Sequence, residues 1–255
     1  MGRTGNQMFE IASLLGIALI YDIIPIIPSN TLLKRFFNLP NIADRKKYGI
    51  QNKVVHRCSR PAKICSISKE FASGKKISLF GYFQSWKYFE TASSLIRNIF
   101  KFKQRHVYNA NTFLSNVSLN GFERVCFHVR RGDFIKKARL DKGYAIPDVA
   151  FFEKARQFYL NKFHRVQFIV VSNEKEWCMK NIFNVHVSNF SDPADDLALL
   201  SLCDHVVVTL GTFGWWGAWL SGGITVYFDF FPQNGSMLAL GTKEDYYPPS
   251  WIGIR

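Results

Sequence analysis

A chain of 255 residues is long enough for one large domain or two half-sized ones sharing a cleft, and 47% hydrophobic with 20% charged residues and no repeat period excludes a repeat array or a disordered tail. The formal charge of +14 is unevenly spread, with 18 Lys and Arg against 5 Asp and Glu in residues 1–105 and 15 against 14 in residues 106–255. That basic first part suits an anionic ligand, a nucleic acid or a membrane face, but its runs, Arg45-Lys46-Lys47 and Lys75-Lys76, are short and poor in aromatics and read as solvated surface.

The chain opens on a glycine-bearing turn, Gly2-Arg-Thr-Gly-Asn-Gln7, which leads into an apolar helix from about Met8 to Ala18. The apolar stretch Ile11 to Ile27 contains Asp22 and Pro25 and falls short of the roughly 20 apolar residues a bilayer needs, so it reads as a buried helix followed by a short strand, Ile24 to Pro28. No signal peptide or anchor is recognisable, and a membrane tether would lie upstream of Met1. A basic, loop-rich region runs to about Lys76. Ile77 to Phe83 alternates as a strand does, and Trp86 to Phe100 has helical spacing. Asn109-Ala-Asn-Thr112 and Ser118-Leu-Asn-Gly121 read as linker and place a boundary near residues 110–122, giving domains 1–115 and 116–255. Beyond it the pattern is cleaner. Strands are predicted at Val125–Val129, Gln167–Val171, His205–Thr209 and Ile224–Phe228, separated by helices near Val149–Asn161, Glu174–Asn181, Ala194–Leu202 and Thr212–Leu220. That alternation implies a parallel sheet covered on both faces.

Five cysteines form no Cys-x-x-Cys and no cluster with histidine. Cys126 and Cys203 lie in apolar runs and read as buried, Cys58 and Cys65 are near enough in sequence to bridge, and the odd count leaves a free thiol. Three glycosylation acceptor sequences, at Asn116, Asn189 and Asn234, lean toward a secretory lumen.

In open α/β sheets ligands bind where the strands end at their carboxyl side. The three inner strands exit into polar segments: Arg130-Arg131-Gly132-Asp133, Ser172-Asn173, and Gly211-Thr212 after Thr209. Adjacent arginines present planar, permanently charged forks for phosphate oxygens. The period of a strand puts His128 and Arg130 on one face and turns Arg131 away. The rival reading is an Arg–Asp pair that only stiffens the turn. Thr209 to Leu220 reads as strand, tight turn and helix, with Thr212 as N-cap and Gly211 letting the backbone approach an anion. Of Trp215, Trp216 and Trp219, most of the ring area is expected in the core. No Asp-x-Asp occurs, and arginine with a helix terminus can neutralise a diphosphate leaving group without Mg²⁺.

Taken together these segments resemble the alpha-1,2-fucosyltransferases of glycosyltransferase family 11. The resemblance rests on the opening Gly-Arg-Thr-Gly-Asn-Gln-Met, on Gly81-Tyr-Phe-Gln-Ser85, on His128-Val-Arg-Arg-Gly-Asp133, on Thr209 to Leu220 and on Tyr246-Tyr-Pro-Pro-Ser-Trp-Ile252, in the family's order. It implies an α/β, GT-B-like fold, with two Rossmann-type domains whose parallel sheets face a cleft. The first domain, acceptor-side, starts at the motif itself where a strand normally precedes it. The second binds GDP-fucose.

The implied reaction is inverting and metal-independent, with no cofactor beyond the co-substrate GDP-L-fucose. The 2-hydroxyl of a terminal β-galactose on a glycan attacks the anomeric carbon of the fucose and gives an α-1,2 linkage. Fucosyl transfer to another acceptor and a non-catalytic glycan-binding relative are the alternatives, and nucleic acid is not an expected partner. The resemblance places Arg130 on the β-phosphate, and His128 and Asp196 at the guanine. Arg131, Ser172, Asn173, Thr209, Gly211, Thr212 and Phe213 complete the expected donor set, Gly5, Asn6 and Gln7 the acceptor side, and Asn6 faces the reacting sugar unless it merely forms the turn. Asp133 is the expected base, or is held by Arg131, and Glu10 and Asp141 are further candidates. The implied location is the Golgi lumen, as part of a type II membrane protein.

Overall fold

The structure, a computed structural model, describes residues 3–28, 30–39, 53–66, 76–230 and 232–255. Gly2, the basic run Arg45-Lys46-Lys47 and Lys75 lie outside them. The chain forms two compact units, Met1–Phe102 with Leu240–Pro248, and Lys103–Ala239 with Pro249–Arg255.

The first unit is built on helix α1, Thr4–Ile20. The expected opening turn is therefore helix: the amides of Asn6 and Gln7 both donate to the carbonyl of Arg3, at 3.0 and 3.1 Å, so Gly5, Asn6 and Gln7 sit in the first turn. Burial of Gly5, Gln7, Met8 and Phe9 outweighs the low helix propensity of glycine and asparagine there. The strand expected at Ile24–Pro28 is not one; the segment is irregular, and Ile24 is exposed. Strands β1, Lys53–Cys58, and β2, Lys76–Gly81, pair in parallel. A short 3₁₀ turn, Trp86–Tyr88, and helix α2, Ser93–Ile99, replace the single helix expected over Trp86–Phe100. Cys58 and Cys65 form a disulfide with Cα atoms 5.8 Å apart.

Residues 81–89 press onto α1. Ser13 Oγ donates to the Phe83 carbonyl at 2.9 Å, Phe9 and Phe89 are 6.1 Å apart ring to ring, and a Cβ at Gly16 would lie 2.1 Å from the Tyr88 carbonyl oxygen. Phe83 holds a left-handed φ of 47°, which costs a non-glycine residue strain that its own burial offsets.

The second unit is a doubly wound α/β layer structure. Its strands are β3 Glu123–Val129, β4 Val166–Ser172, β5 His186–Val187, β6 His205–Val208, β7 Thr225–Phe228 and β8 Ile252–Ile254. All pairings are parallel and the order is β5-β4-β3-β6-β7-β8. Helices α3 Gln104–Val117, α4 Lys137–Leu140, α5 Val149–Lys162, α6 Lys175–Asn181, α7 Pro193–Leu202 and α8 Thr212–Ser221 alternate with them. A last short helix, α9 Lys243–Tyr246, belongs to the first unit. Asn109 to Thr112, read as linker, lie inside α3, which packs on α7.

Alternation along β3 supplies both faces. Val125, Phe127 and Val129 pack with Phe151, Phe152, Ala155 and Tyr159 of α5, while Cys126 and His128 are buried on the opposite side. The free thiols of Cys126, Cys178 and Cys203 are all buried.

Candidate functional site

The strand order fixes where a ligand belongs. From β3 the chain winds outward through β4 to β5, then returns to place β6 on the other side of β3, so β3 and β6 flank the topological switch point. The segments leaving these two strands are 130–133 and 209–212, and Thr209 joins them. Its hydroxyl donates to the His128 carbonyl at 3.0 Å and accepts from the Arg130 amide at 2.9 Å. The third exit is drawn in as well: Ser172 Oγ donates to the Val129 carbonyl at 2.8 Å and accepts from the Glu174 amide at 2.9 Å. Asn173 lies against Gly132, where an added Cβ would come within 2.1 Å of its amide nitrogen. Thr209 and Ser172, both buried, thus hold the crevice together with the same atoms that were expected to meet a ligand.

The two arginines part company. Arg131 turns to α6, its guanidinium 3.8 Å from the centre of the Trp177 ring. Arg130 lies over Phe134 at 5.3 Å and pairs with Asp133, and Arg139 approaches the other oxygen of Asp133 at 3.8 Å. Asp133 is thus bound to Arg130, where the sequence suggested Arg131. Arg139 and Phe134 belong to this site although no periodicity or motif marks them in the sequence.

Helix α8 starts at the same place. Its N-cap is Gly211, with φ 84° and ψ 160°, and Thr212 is the first helical residue, which corrects the expected cap. A side chain at residue 211 would be strained in that conformation. Phe134 lies 4.0 Å from where its Cβ would be. The amides of the first turn of α8 therefore open beside the Arg130–Phe134 pair, with the positive end of the helix dipole.

His128 lies under this turn. An added Cβ on Gly214 would come within 2.2 Å of its Nδ1, and Phe213 is 5.7 Å away ring to ring. Burial, and then the charge of Arg130, push its pKa down to about 3, so the imidazole is neutral. Its buried Nδ1 has no hydrogen-bond partner. Trp215 and Trp216 are wholly buried, as most of the tryptophan was expected to be.

Asp196, in the first turn of α7, accepts from Ser188 Oγ at 2.5 Å. Burial raises its pKa to about 6, against the lowering influence of Ser188 and Lys175. Lys175, whose ammonium donates to the Phe190 carbonyl, and Ser188 are members of this group that the sequence did not reveal. Beside them Asp195 is taken by α3: His106 Nδ1 is 2.6 Å from one oxygen and Asn109 Nδ2 donates to the other at 3.0 Å.

In the first unit, Asn6 Oδ1 accepts from Gln84 Nε2 at 3.0 Å, which ties the opening motif to Gly81–Ser85. Gln7 is buried, its amide oxygen accepting from Thr31 Oγ1 at 2.8 Å and from the Leu32 amide at 3.0 Å. The glycosylation candidates Asn116, Asn189 and Asn234 are all exposed. Among the described residues no group of three His, Cys, Asp or Glu is placed to hold a metal ion, and no helix is long and apolar enough to cross a membrane.

The model described as glycosyl transferase family 11 matches residues 1–255. Galactoside 2-alpha-L-fucosyltransferase Sec1 of Mus musculus is 31% identical over 271 residues, covering 99% of this chain and 72% of its own length. Galactoside alpha-(1,2)-fucosyltransferase 2 of Rattus norvegicus is 30% identical, covering 100% and 75%. Among solved structures, POFUT1 in complex with GDP-fucose superposes with a TM-score of 0.53 at 12% identity, over 90% of this chain and 96% of that one. The alpha-1,6-fucosyltransferase NodZ soaked with GDP-fucose gives 0.53 at 14%, over 88% and 91%. These likenesses show a shared GT-B-like α/β fold.

Proposed function

The chain belongs to glycosyltransferase family 11, and from that premise we propose that it transfers L-fucose from GDP-β-L-fucose to the 2-hydroxyl of a terminal β-galactose on a glycan, forming an α-1,2 linkage. One observation carries the reading: Arg130 and the first turn of α8 meet at the switch point of the second unit, in a chain whose family relatives are galactoside fucosyltransferases. The second unit is the donor side and the first, with Gly5, Asn6 and Gln7, the acceptor side.

The donor diphosphate takes the place that Asp133 holds on Arg130. Arg130 and the α8 amides of Thr212 and Phe213, approached across Gly211, stabilise the charge that builds on the leaving GDP. Positive charge from arginine and helix terminus makes a metal ion unnecessary, and attack from the face opposite the departing phosphate inverts the anomeric centre. Neutral His128 lies flat beside the guanine, and the Asp196 carboxylate accepts its edge hydrogens. Thr209, Ser172 and Asn173 hold the strand exits in register, and Arg131 braces the loop on Trp177. The exposed sequons fit a glycoprotein of the Golgi lumen.

The decisive assay is GDP release from GDP-fucose with and without a lactose-type acceptor. Acceptor-dependent release is expected. Arg130→Ala lowers it by at least ~10²-fold with the fold intact, the scale of losing one such stabilising group; near-normal turnover in that variant refutes the assignment. Labelling confined to acceptors without terminal galactose, in an acceptor array, refutes the α-1,2 linkage.

A further inference from the structure

We propose that Arg139 is a second arginine on the β-phosphate of the donor, forming with Arg130 a clamp of two guanidiniums in which Asp133 stands where two phosphate oxygens bind. This role rests on the GDP-fucose reading above and adds to it a residue outside the recognised motifs. Every side chain concerned belongs to the second unit.

A carboxylate and a phosphate offer a guanidinium the same thing, two oxygens on one centre. Asp133 divides its two between different arginines: Oδ1 accepts from Arg130 Nη2, and Oδ2 lies 3.8 Å from Arg139 Nη2. Arg130 comes directly from the end of β3, whereas Arg139 comes from α4, beyond the 3₁₀ turn Gly132–Ile135. A single guanidinium neutralises a carboxylate. Two around one acid leave a positive surplus, which suits a ligand of higher charge.

That surplus is gathered at one ring. The Phe134 centre is 5.3 Å from the Arg130 guanidinium and 5.7 Å from that of Arg139, and Phe134 Cζ lies 4.0 Å from the Cβ position of Gly211, where the amides of α8 begin. Two permanent cations and the positive end of a helix therefore meet around it. Arg139 is also held in place. Tyr144 stands edge-on to Phe134 at 4.7 Å with its ring 5.8 Å from the Arg139 guanidinium, and the amides of Lys142 and Tyr144 donate to the Arg139 carbonyl at 3.0 and 3.3 Å. Gly143 pins the end of this loop, its carbonyl accepting from the Gln233 amide at 2.9 Å. The Arg139 side chain is 41% exposed and that of Arg130 22%, so a ligand reaches both. When the bond from fucose to the diphosphate breaks, its electron pair stays on the β-phosphate oxygen, and a second guanidinium there gains strength as the charge grows.

The test is calorimetry on the full chain with GDP and with GMP, which lacks the β-phosphate. Arg139→Gln is expected to lower GDP affinity at least ~10-fold, the scale of one charge-assisted hydrogen bond, and to leave GMP affinity unchanged. Lys137→Gln removes an exposed charge from the same short helix, one that pairs with Asp141 instead, and is expected to keep GDP affinity within about threefold of wild type, the scale of an exposed ion pair. Wild-type GDP affinity in Arg139→Gln overturns the clamp. So does a loss shared equally by GMP, the mark of a disturbed loop, and so does a loss in Lys137→Gln as large as that in Arg139→Gln, the mark of a general field. A wild-type chain that binds GDP through Arg139 yet fucosylates no galactose acceptor fails the functional reading alone, and one that binds no GDP fails both.

Discussion

Arg130 and Asp196 carry the two ends of the proposed donor in opposite electrostatic circumstances. Arg130 has Asp133 as a stand-in for phosphate, so donor binding exchanges one anion for another and no bare guanidinium is ever buried. Asp196 has no cation bound to it directly, and burial lifts its pKa from 3.8 to about 6. Its folded value is the higher one, so the stability linked to its protonated form is complete below about pH 4 and is lost as the pH rises through about 6. Asp196→Asn, neutral at every pH, is therefore expected to match wild type in the ligand-free state near pH 4 and to exceed it by up to roughly 3 kcal/mol above pH 6. Urea unfolding at several pH values measures this, and a gap that does not widen with pH contradicts it. On the role proposed for Asp196 at the guanine, donor affinity is expected to move the other way and to fall in this variant. At this scale the sequence marked Arg130 and His128 by their motif, but it misplaced the cap of α8 and the partner of Asp133 and was silent about Arg139 and Phe134. The latter are gathered by a short 3₁₀ turn and α4, which leave no periodic trace.

Among the elements, the four inner strands of the second unit and helices α5 to α8 were readable within a residue or two because a buried parallel sheet demands continuous apolar runs such as Val125-Cys-Phe127 and Phe168-Ile-Val-Val171. The two strands missed there, His186–Val187 and Ile252–Ile254, are short edge strands with no such run. Residues 109–112 of α3 were taken for linker because asparagine is common in turns, yet the buried stripe of the helix, His106, Ala110 and Leu114, has helical spacing. His106 is the firmest anchor of that helix. Arg105 Nε donates to its Nε2 at 3.1 Å, so the proton facing Asp195 resides on Nδ1. His106→Ala empties a buried site and strips the Asp195 carboxylate of a donor. We expect it to cost about 3 kcal/mol in denaturant unfolding, with donor affinity weakened through the neighbouring Asp196. A loss under ~0.5 kcal/mol would mean that α3 is not anchored through this residue. In the first unit the low helix propensity of Gly5 and Asn6 misplaced the start of α1, since burial of the segment cannot be read from propensity alone.

For the molecule as a whole, the fold class was visible in the alternation of elements, whereas the grouping of residues 240–248 with the first unit left no sequence signal. A donor site that works by arginine and helix terminus should behave alike with and without divalent cations. GDP at ~100 times its Kd is expected to stabilise the full chain by about 2.7 kcal/mol, unchanged by EDTA. A shift in melting temperature that EDTA abolishes would show that the leaving group needs a metal. The stitch made by Thr209 has a consequence for biosynthesis. It binds the Arg130 amide across 79 residues of sequence, and β6, which leads into it, pairs with β3 only after β4 and β5 have been made. On a growing chain, β3 and its arginines therefore emerge long before their partner strand, and the crevice cannot close until β6 and the turn after it have left the ribosome. A stop or frameshift between residues 134 and 208 thus leaves the proposed donor site unassembled, although His128 to Asp133 remain in the product.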